Sequence, residues 1–114
     1  MRIILTLSLA GTLAACAATL PPTEKMESSS AAIRAAEEVG APQVPQAALH
    51  LQLAREQTEH ARALLAKGER GNAEGLLLRA EADADLAVAL SREDTSKRQA
   101  HEAVEQVRKL RGNP

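Results

Sequence analysis

Cys16 is the residue whose surroundings best specify a chemistry, and it is the only cysteine of the chain. It ends the sequence Leu13-Ala14-Ala15-Cys16, directly behind an apolar run. A leucine, two small residues and a cysteine form a bacterial lipobox, in which a diacylglyceryl group alkylates the cysteine sulfur. Cleavage before the cysteine frees an amine for a further acyl chain, such as palmitate. We therefore predict a lipoprotein signal peptide over residues 1–15 and lipidation at Cys16.

Two other processing routes fit the same segment. Ala15-Cys16-Ala17 also has the small-x-small form of an ordinary cleavage site, which would give a soluble periplasmic or secreted protein. The uncharged run 3–20 approaches the ~20 residues that a membrane helix needs. Two or more acyl chains anchor a protein stably, at about 0.8 kcal/mol per buried methylene. Because Ala17, and not aspartate, follows the cysteine, we expect the periplasmic face of the outer membrane in a Gram-negative source.

The remaining reactive side chains form no arrangement typical of a catalytic or metal site. The histidines are scattered, without a His-x-x-x-His pair, and no serine has a Gly-x-Ser-x-Gly or Ser-x-x-Lys context. The glycines of 68–71 lack the Lys-Ser/Thr continuation of a phosphate-binding loop. We therefore predict no catalytic residue, no metal site and no cofactor, and the chain is expected not to be an enzyme. The three histidines are His50, His60 and His101.

A run of acidic residues, Glu81, Asp83 and Asp85, could suggest a cation site. Residues two positions apart on a helix point about 200° apart, so only Glu81 and Asp85 share a face. A hard cation needs several oxygens that converge from a loop. The run is therefore interpreted as a solvated helix face, on which Arg79 pairs with Asp83.

Composition points to an all-α fold and away from nucleic acid. Alanine, leucine, glutamate, arginine and glutamine dominate, and all favour helices. The formal net charge is −1, and phenylalanine, tyrosine and tryptophan are absent. Base stacking and aromatic sugar platforms are therefore unavailable. The few large apolar side chains predict a thin core.

Glycine, proline and serine divide the chain into a tether and one helical domain. Residues 16–25 form the lipidated tether, the domain covers 26–111, and 112–114 are a tail. The first helix is expected to begin near Thr23 or near Ser28, where the serines at 28–30 offer N-caps, and the serine run could instead be a plain linker. Gly40 and Gly68 are predicted to end the first and second helices. The three predicted helices span residues 26–39, 45–67 and 72–111.

Two seams with alternating steps of four and three predict an antiparallel, coiled-coil-like hairpin. Its shape is similar to that of a tetratricopeptide unit, although the aromatic signature and a second repeat are missing. The first helix is expected as an addition to this hairpin. The first seam consists of Ala47, Leu51, Ala54, Thr58, Ala61 and Leu65, and the second of Ala73, Leu77, Ala80, Ala84 and Ala87.

The last helix is expected to outrun its partner near the polar stretch 91–97. Pairs between Glu93 and Lys97 and between Asp94 and Arg98 favour one continuous helix. An N-cap at residues 94–96 could instead begin a fourth helix. Beyond this stretch the apolar pattern resumes, and we interpret the resumed part as a candidate partner surface. This distal stripe consists of Ala100, Ala103, Val104, Val107 and Leu110.

Three stretches of the chain carry a resemblance to a known family. Residues 33–42 read Ile-Arg-Ala-Ala-Glu-Glu-Val-Gly-Ala-Pro, 49–68 end on a turn glycine, and 80–87 read Ala-Glu-Ala-Asp-Ala-Asp-Leu-Ala. The chain thereby resembles a family of uncharacterised bacterial Ala-rich helical lipoprotein domains of unknown function. In many relatives such a domain precedes an OmpA-like peptidoglycan-binding domain. The resemblance supplies no catalytic residues. Because the sequence ends at Pro114 without an OmpA-like domain, direct peptidoglycan binding is not expected.

Together these patterns predict a non-enzymatic lipoprotein that presents a helical hairpin for protein–protein contact in the cell envelope. Its partners would be the membrane, through the lipid on Cys16, and an envelope protein. Self-association as a structural lipoprotein is one alternative, and transport of an apolar ligand between loosely packed helices is another. No nucleic-acid partner is expected.

Overall fold

The computed structural model describes residues 21–112, which form three α-helices. Helix α1 spans Pro22–Glu38, α2 spans Pro45–Ala66 and α3 spans Arg70–Arg111. A single 3₁₀ turn at Ala41–Gln43 joins α1 to α2. The described residues contain no strand, which confirms the predicted all-α class with a long C-terminal helix. The predicted signal peptide, Cys16 and the first part of the tether lie outside the described residues.

The three helices run up, down and up. A short turn at Gly68, whose φ is 80°, reverses the chain between α2 and α3. Helix α1 runs parallel to α3, because Lys25 bonds to Glu74 and Ser28 bonds to Glu81 further along. The predicted hairpin of α2 and α3 is confirmed, and α1 packs mainly on α3.

Alanine fills most of the core. The buried apolar residues are nine alanines and two leucines, Leu51 and Leu77. Every member of the predicted α3 seam is buried, as is every member of the α2 seam except the half-buried Leu65. Small side chains let the helices approach closely, toward the lower end of the 8–10 Å range for packed helices. The core therefore combines many small contacts with two fully buried large side chains, and half-buried residues such as Ile33, Val88 and Leu76 pack against it.

Of the two expected starts of the first helix, the one near Thr23 is confirmed and the one near Ser28 is wrong. Helix α1 begins at Pro22, four residues before the domain bound at 26, so the last part of the supposed tether is helical. Proline suits the first helical turn because its missing N–H would have had no partner there. The predicted serine caps are also wrong. Ser29 is buried within α1 and donates a hydrogen bond to the Met26 carbonyl at 3.1 Å, while the Ser28 hydroxyl donates to Glu81 at 2.7 Å.

Two buried hydroxyls sit among the alanines of the core. Thr58 donates to the carbonyl of Ala54 at 2.8 Å, and Ser91 donates to the carbonyl of Ala87 at 2.9 Å. Each bond lies within one helix, so it satisfies the hydroxyl without a partner from a neighbouring helix. These positions therefore behave as small core residues.

Helix α3 continues without a break through the polar stretch. Its 42 residues correspond to about 63 Å at 1.5 Å per residue. Asp94, Thr95 and Arg98 lie beside the turn between α1 and α2, which marks the end of the bundle. Residues 99–111 extend beyond that turn by about 20 Å. The continuous helix predicted from the sequence is confirmed.

Candidate interaction surface

The distal stripe lies wholly on this α3 extension. All five of its residues are exposed, including Val104 at 56%, Val107 at 47% and Leu110 at 81%. No other part of residues 21–112 covers them. The stripe is therefore an apolar surface without a partner inside the described chain.

The stripe does not continue the core seam of α3, although the sequence pattern was interpreted that way. Ala87 faces the core, and Val107 follows it by 20 residues, which corresponds to about 200° around a helix. The positions that do continue the core seam are polar. They are Asp94, Arg98, His101, Glu105 and Arg108. The distal stripe therefore lies on the side of α3 that faces away from α1 and α2.

The same outward side of α3 carries apolar residues along the bundle as well, together with the charged Asp85 and Arg92, which lie 18 residues before Ala103 and Leu110. Ala82, Leu86 and Ala89 precede Ala100, Val104 and Val107 by 18 residues each, which is five full helical turns. Each of the three earlier residues therefore points in the same direction from the α3 axis as the residue 18 positions later. Leu78 lies beside them, and it is 55% exposed. We call the combination of these residues and the distal stripe the outer face. Its part on the bundle consists of Leu78, Ala82, Leu86 and Ala89.

The outer face contains most of the exposed large apolar side chains of the described residues. Six such side chains are exposed by 42% or more, and five of them lie on this face. The sixth is Leu49 on α2. The part on the bundle was not predicted from the sequence, because the core seam runs through the same alanine-rich stretch. The 18-residue spacing was the signal that could have revealed it.

A charged segment interrupts the outer face near its middle. Glu93 and Lys97 form an ion pair one turn apart, and both side chains are exposed. The hydrogen bond from Lys97, followed by its positive charge, lowers the pKa of the Glu93 carboxyl. The same bond and the negative charge of Glu93 raise the pKa of the Lys97 ammonium. The outer face therefore has two halves with exposed apolar side chains on either side of an acidic–basic centre, and the exposed Asp85 and Arg92 lie among the apolar residues of the half on the bundle.

The acidic run 81–85 contributes mainly to packing between helices. Glu81 accepts a hydrogen bond from α1, and Asp85 is exposed. Asp83 lies 2.8 Å from the Nδ1 atom of His50 and accepts a hydrogen bond from Gln57 at 2.8 Å. The expected pairing of Asp83 with Arg79 is therefore wrong, because its carboxylate is occupied by two side chains of α2. These bonds help to hold α2 against α3.

Catalytic triads also contain a histidine beside an aspartate, so a hydroxyl bonded to the His50 imidazole would indicate a catalytic site. Among residues 21–112, no serine or threonine hydroxyl forms a hydrogen bond with this imidazole. The described serine and threonine donors bond instead to Glu81 or to backbone carbonyls. Within the same range, no three histidine, cysteine, aspartate or glutamate side chains form a group that could hold a metal ion.

The helical bundle matches a known family over most of its length. A family model described as "Domain of unknown function (DUF4398)" matches residues 24–103. The chain belongs to this family. The DUF4398 match begins within α1 and ends within the α3 extension, so it includes all three helices and the first two residues of the distal stripe.

Two other comparisons add no relative to the DUF4398 domain. The comparison with curated proteins found no significant match, and neither did the comparison with solved structures. Among the described helices, none combines the length and the apolar character that crossing a membrane requires.

Proposed function

We propose that this DUF4398 chain is a non-enzymatic lipoprotein anchored through Cys16 to the periplasmic face of the outer membrane. In this proposal its helical bundle serves protein–protein contact in the cell envelope. The observation that carries the contact function is the exposed distal stripe on the α3 extension. Exposed apolar patches of this kind are more common at interaction sites than on the free surface of a monomer.

The direction of the helices supports this combination of anchor and contact surface. Helix α1 begins at Pro22, beside the turn between α2 and α3, and the α3 extension lies at the other end of the bundle. Only five residues separate Cys16 from Pro22, and the six Cα–Cα steps between them span at most about 20 Å. A lipid on Cys16 would therefore hold the turn end near the membrane, whereas the distal stripe lies about 45–60 Å further along α3.

The anchor is tested by the intact mass of the protein after membrane fractionation. We expect a mature mass that begins at Cys16, carries diacylglyceryl and acyl groups, and is found with outer membranes. The variant Cys16→Ser should lose both the added mass and the membrane association. A soluble product cut near Ala17, identical in both proteins, would show that an ordinary signal peptide is present.

The contact function is tested by capture of envelope proteins with Val107→Asp and Leu110→Asp together. A charge on the distal stripe should weaken capture, because it would be desolvated on binding. Leu49→Asp is the matched control, since Leu49 is also 56% exposed but lies on α2. Helicity should remain unchanged in all variants. An unchanged capture profile and an unchanged assembly size would contradict the contact function.

Self-association is the alternative with support of its own, because the outer face of α3 offers an exposed surface on which a second copy could bind. The third alternative, an apolar-ligand carrier, gains no support from the described residues.

A further inference from the structure

The outer face is self-complementary when a second copy lies antiparallel to it. Pairing residues whose numbers sum to about 189 brings the bundle half of one copy onto the distal half of the other. Leu78 then meets Leu110, Ala82 meets Val107, and Leu86 meets Val104. The two-fold axis of this arrangement passes between residues 94 and 95. Such a contact is isologous, as in most soluble homodimers.

The charges in the middle of the outer face favour the antiparallel direction. Glu93 of one copy lies opposite Lys97 of the other, since their numbers sum to 190. In a parallel, in-register pair, Glu93 would lie opposite Glu93, and like charges in contact are unfavourable. Three positions oppose the antiparallel pair: Asp85 lies opposite Ala103 without a counter-charge, Arg92 lies level with Lys97, and Arg79 lies opposite Arg111. Arg79 and Arg111 are exposed at the ends of the contact, where salt screens them.

The size of the face fits a reversible dimer. From Leu78 to Leu110 the contact would be about 48 Å long, and a helix presents a width of about 10 Å. The two copies would together bury roughly 1,000 Å², which is near the lower limit for a specific interface. Helix α1 lies beside the bundle half through its bonds to Glu74 and Glu81, but the apolar residues of the outer face remain exposed and accessible to a second copy.

We propose that the partner of the outer face is a second copy of this chain, bound antiparallel through α3. This inference rests on the contact surface in the proposed function but not on the lipid anchor. In the pair, the Pro22 ends of the two copies are about 70 Å apart. Two anchors in one leaflet would therefore require the long axis of the pair to lie along the membrane.

Cysteine cross-linking of the purified full chain tests both the partner and the direction. Cys16→Ser leaves an introduced cysteine as the only thiol, and it separates this test from the fate of the anchor. We expect a mixture of Ala82→Cys and Val107→Cys to form a disulfide between copies under mild oxidation, because a disulfide needs Cα atoms within about 7 Å. Each variant alone should stay uncross-linked, because its own position recurs about 38 Å away along the pair.

The same experiment has outcomes that overturn the proposal. Disulfides in Ala82→Cys alone would indicate a parallel pair. If the mixture forms no disulfides and sedimentation detects only monomer at the same concentrations, a second copy is not the partner of the outer face. A mixture of Leu49→Cys and Val107→Cys is the matched negative control. In sedimentation we also expect Val107→Asp to raise the Kd of the dimer at least tenfold, while Leu49→Asp leaves it unchanged.

Discussion

The two buried leucines should be the positions at which the bundle is most sensitive to truncation. Leu51 is 1% exposed and packs among alanines from α1, α2 and α3, including Ala36, Ala47 and Ala87. Replacing Leu51 by alanine removes three carbon atoms, for which the transfer free energy is about 2.4 kcal/mol at 0.8 kcal/mol per carbon. The buried alanine neighbours have no side-chain rotamers with which to fill the space, and only half-buried residues such as Ile33 and Val88 can shift toward it, so a cavity cost adds to this amount. We expect a total loss of about 3–4 kcal/mol, within the range for buried Leu→Ala changes.

This loss is large relative to the stability of a bundle of this size. A domain of about 90 residues has an unfolding free energy of roughly 5–14 kcal/mol. Leu51→Ala should therefore change the ratio of folded to unfolded protein by more than a hundredfold. We expect a marked decrease in the urea midpoint, followed by far-ultraviolet circular dichroism, with an unchanged m-value.

Leu49→Ala is the control for this prediction because it makes the same chemical change two residues earlier in α2. Leu49 is 56% exposed, so its truncation should cost no more than about 0.5 kcal/mol. Equal decreases in the urea midpoint for Leu49→Ala and Leu51→Ala would refute the assignment of Leu51 to the core. A decrease in the m-value of Leu51→Ala alone would mean that the transition is no longer two-state.

Two further predictions concern the backbone and the charged centre of α3. Gly40 has a φ of 84°, so Gly40→Ala should destabilise the bundle by about 1–2 kcal/mol. Gly75→Ala should instead stabilise it by about 0.5–1 kcal/mol, because Gly75 is helical and an added Cβ meets no atom within 4 Å. Thermal unfolding measures both signs, and a fall in Tm for Gly75→Ala would contradict this argument. Lys97→Gln should raise the pKa of Glu93 in an NMR titration, since Lys97 holds that pKa down. The stabilisation by this pair is present above the pKa of Glu93 in the unfolded chain and should be lost as the pH falls through its lowered folded value. An unchanged titration of Glu93 in Lys97→Gln would show that the pair does not form in solution.

Local sequence signals predicted most of the fold, because they act over one or two helical turns. Gly40 and Gly68 follow the ends of their helices with positive φ, as expected for residues in that position. The α2 and α3 seams were correct because each contains a leucine that fixes the apolar side. The start of α1 stayed open between Thr23 and Ser28, since a proline and a run of serines can each begin a helix. Only the contacts of Lys25 and Ser28 with α3 distinguish these possibilities.

The position of the candidate surface on α3 could not be predicted from local sequence patterns. Alanine occurs on both sides of α3: Ala84 and Ala87 are fully buried, whereas Ala82 and Ala89 are exposed. A side chain this small gives little indication of which side will be covered, because its contribution to burial is small on either side. The sequence by itself determined the helices and their turns, which depend on neighbouring residues. The tertiary structure decided which side of α3 meets α1 and α2, because only packing removes that side from water. The opposite side of α3 is thereby left as the outer face.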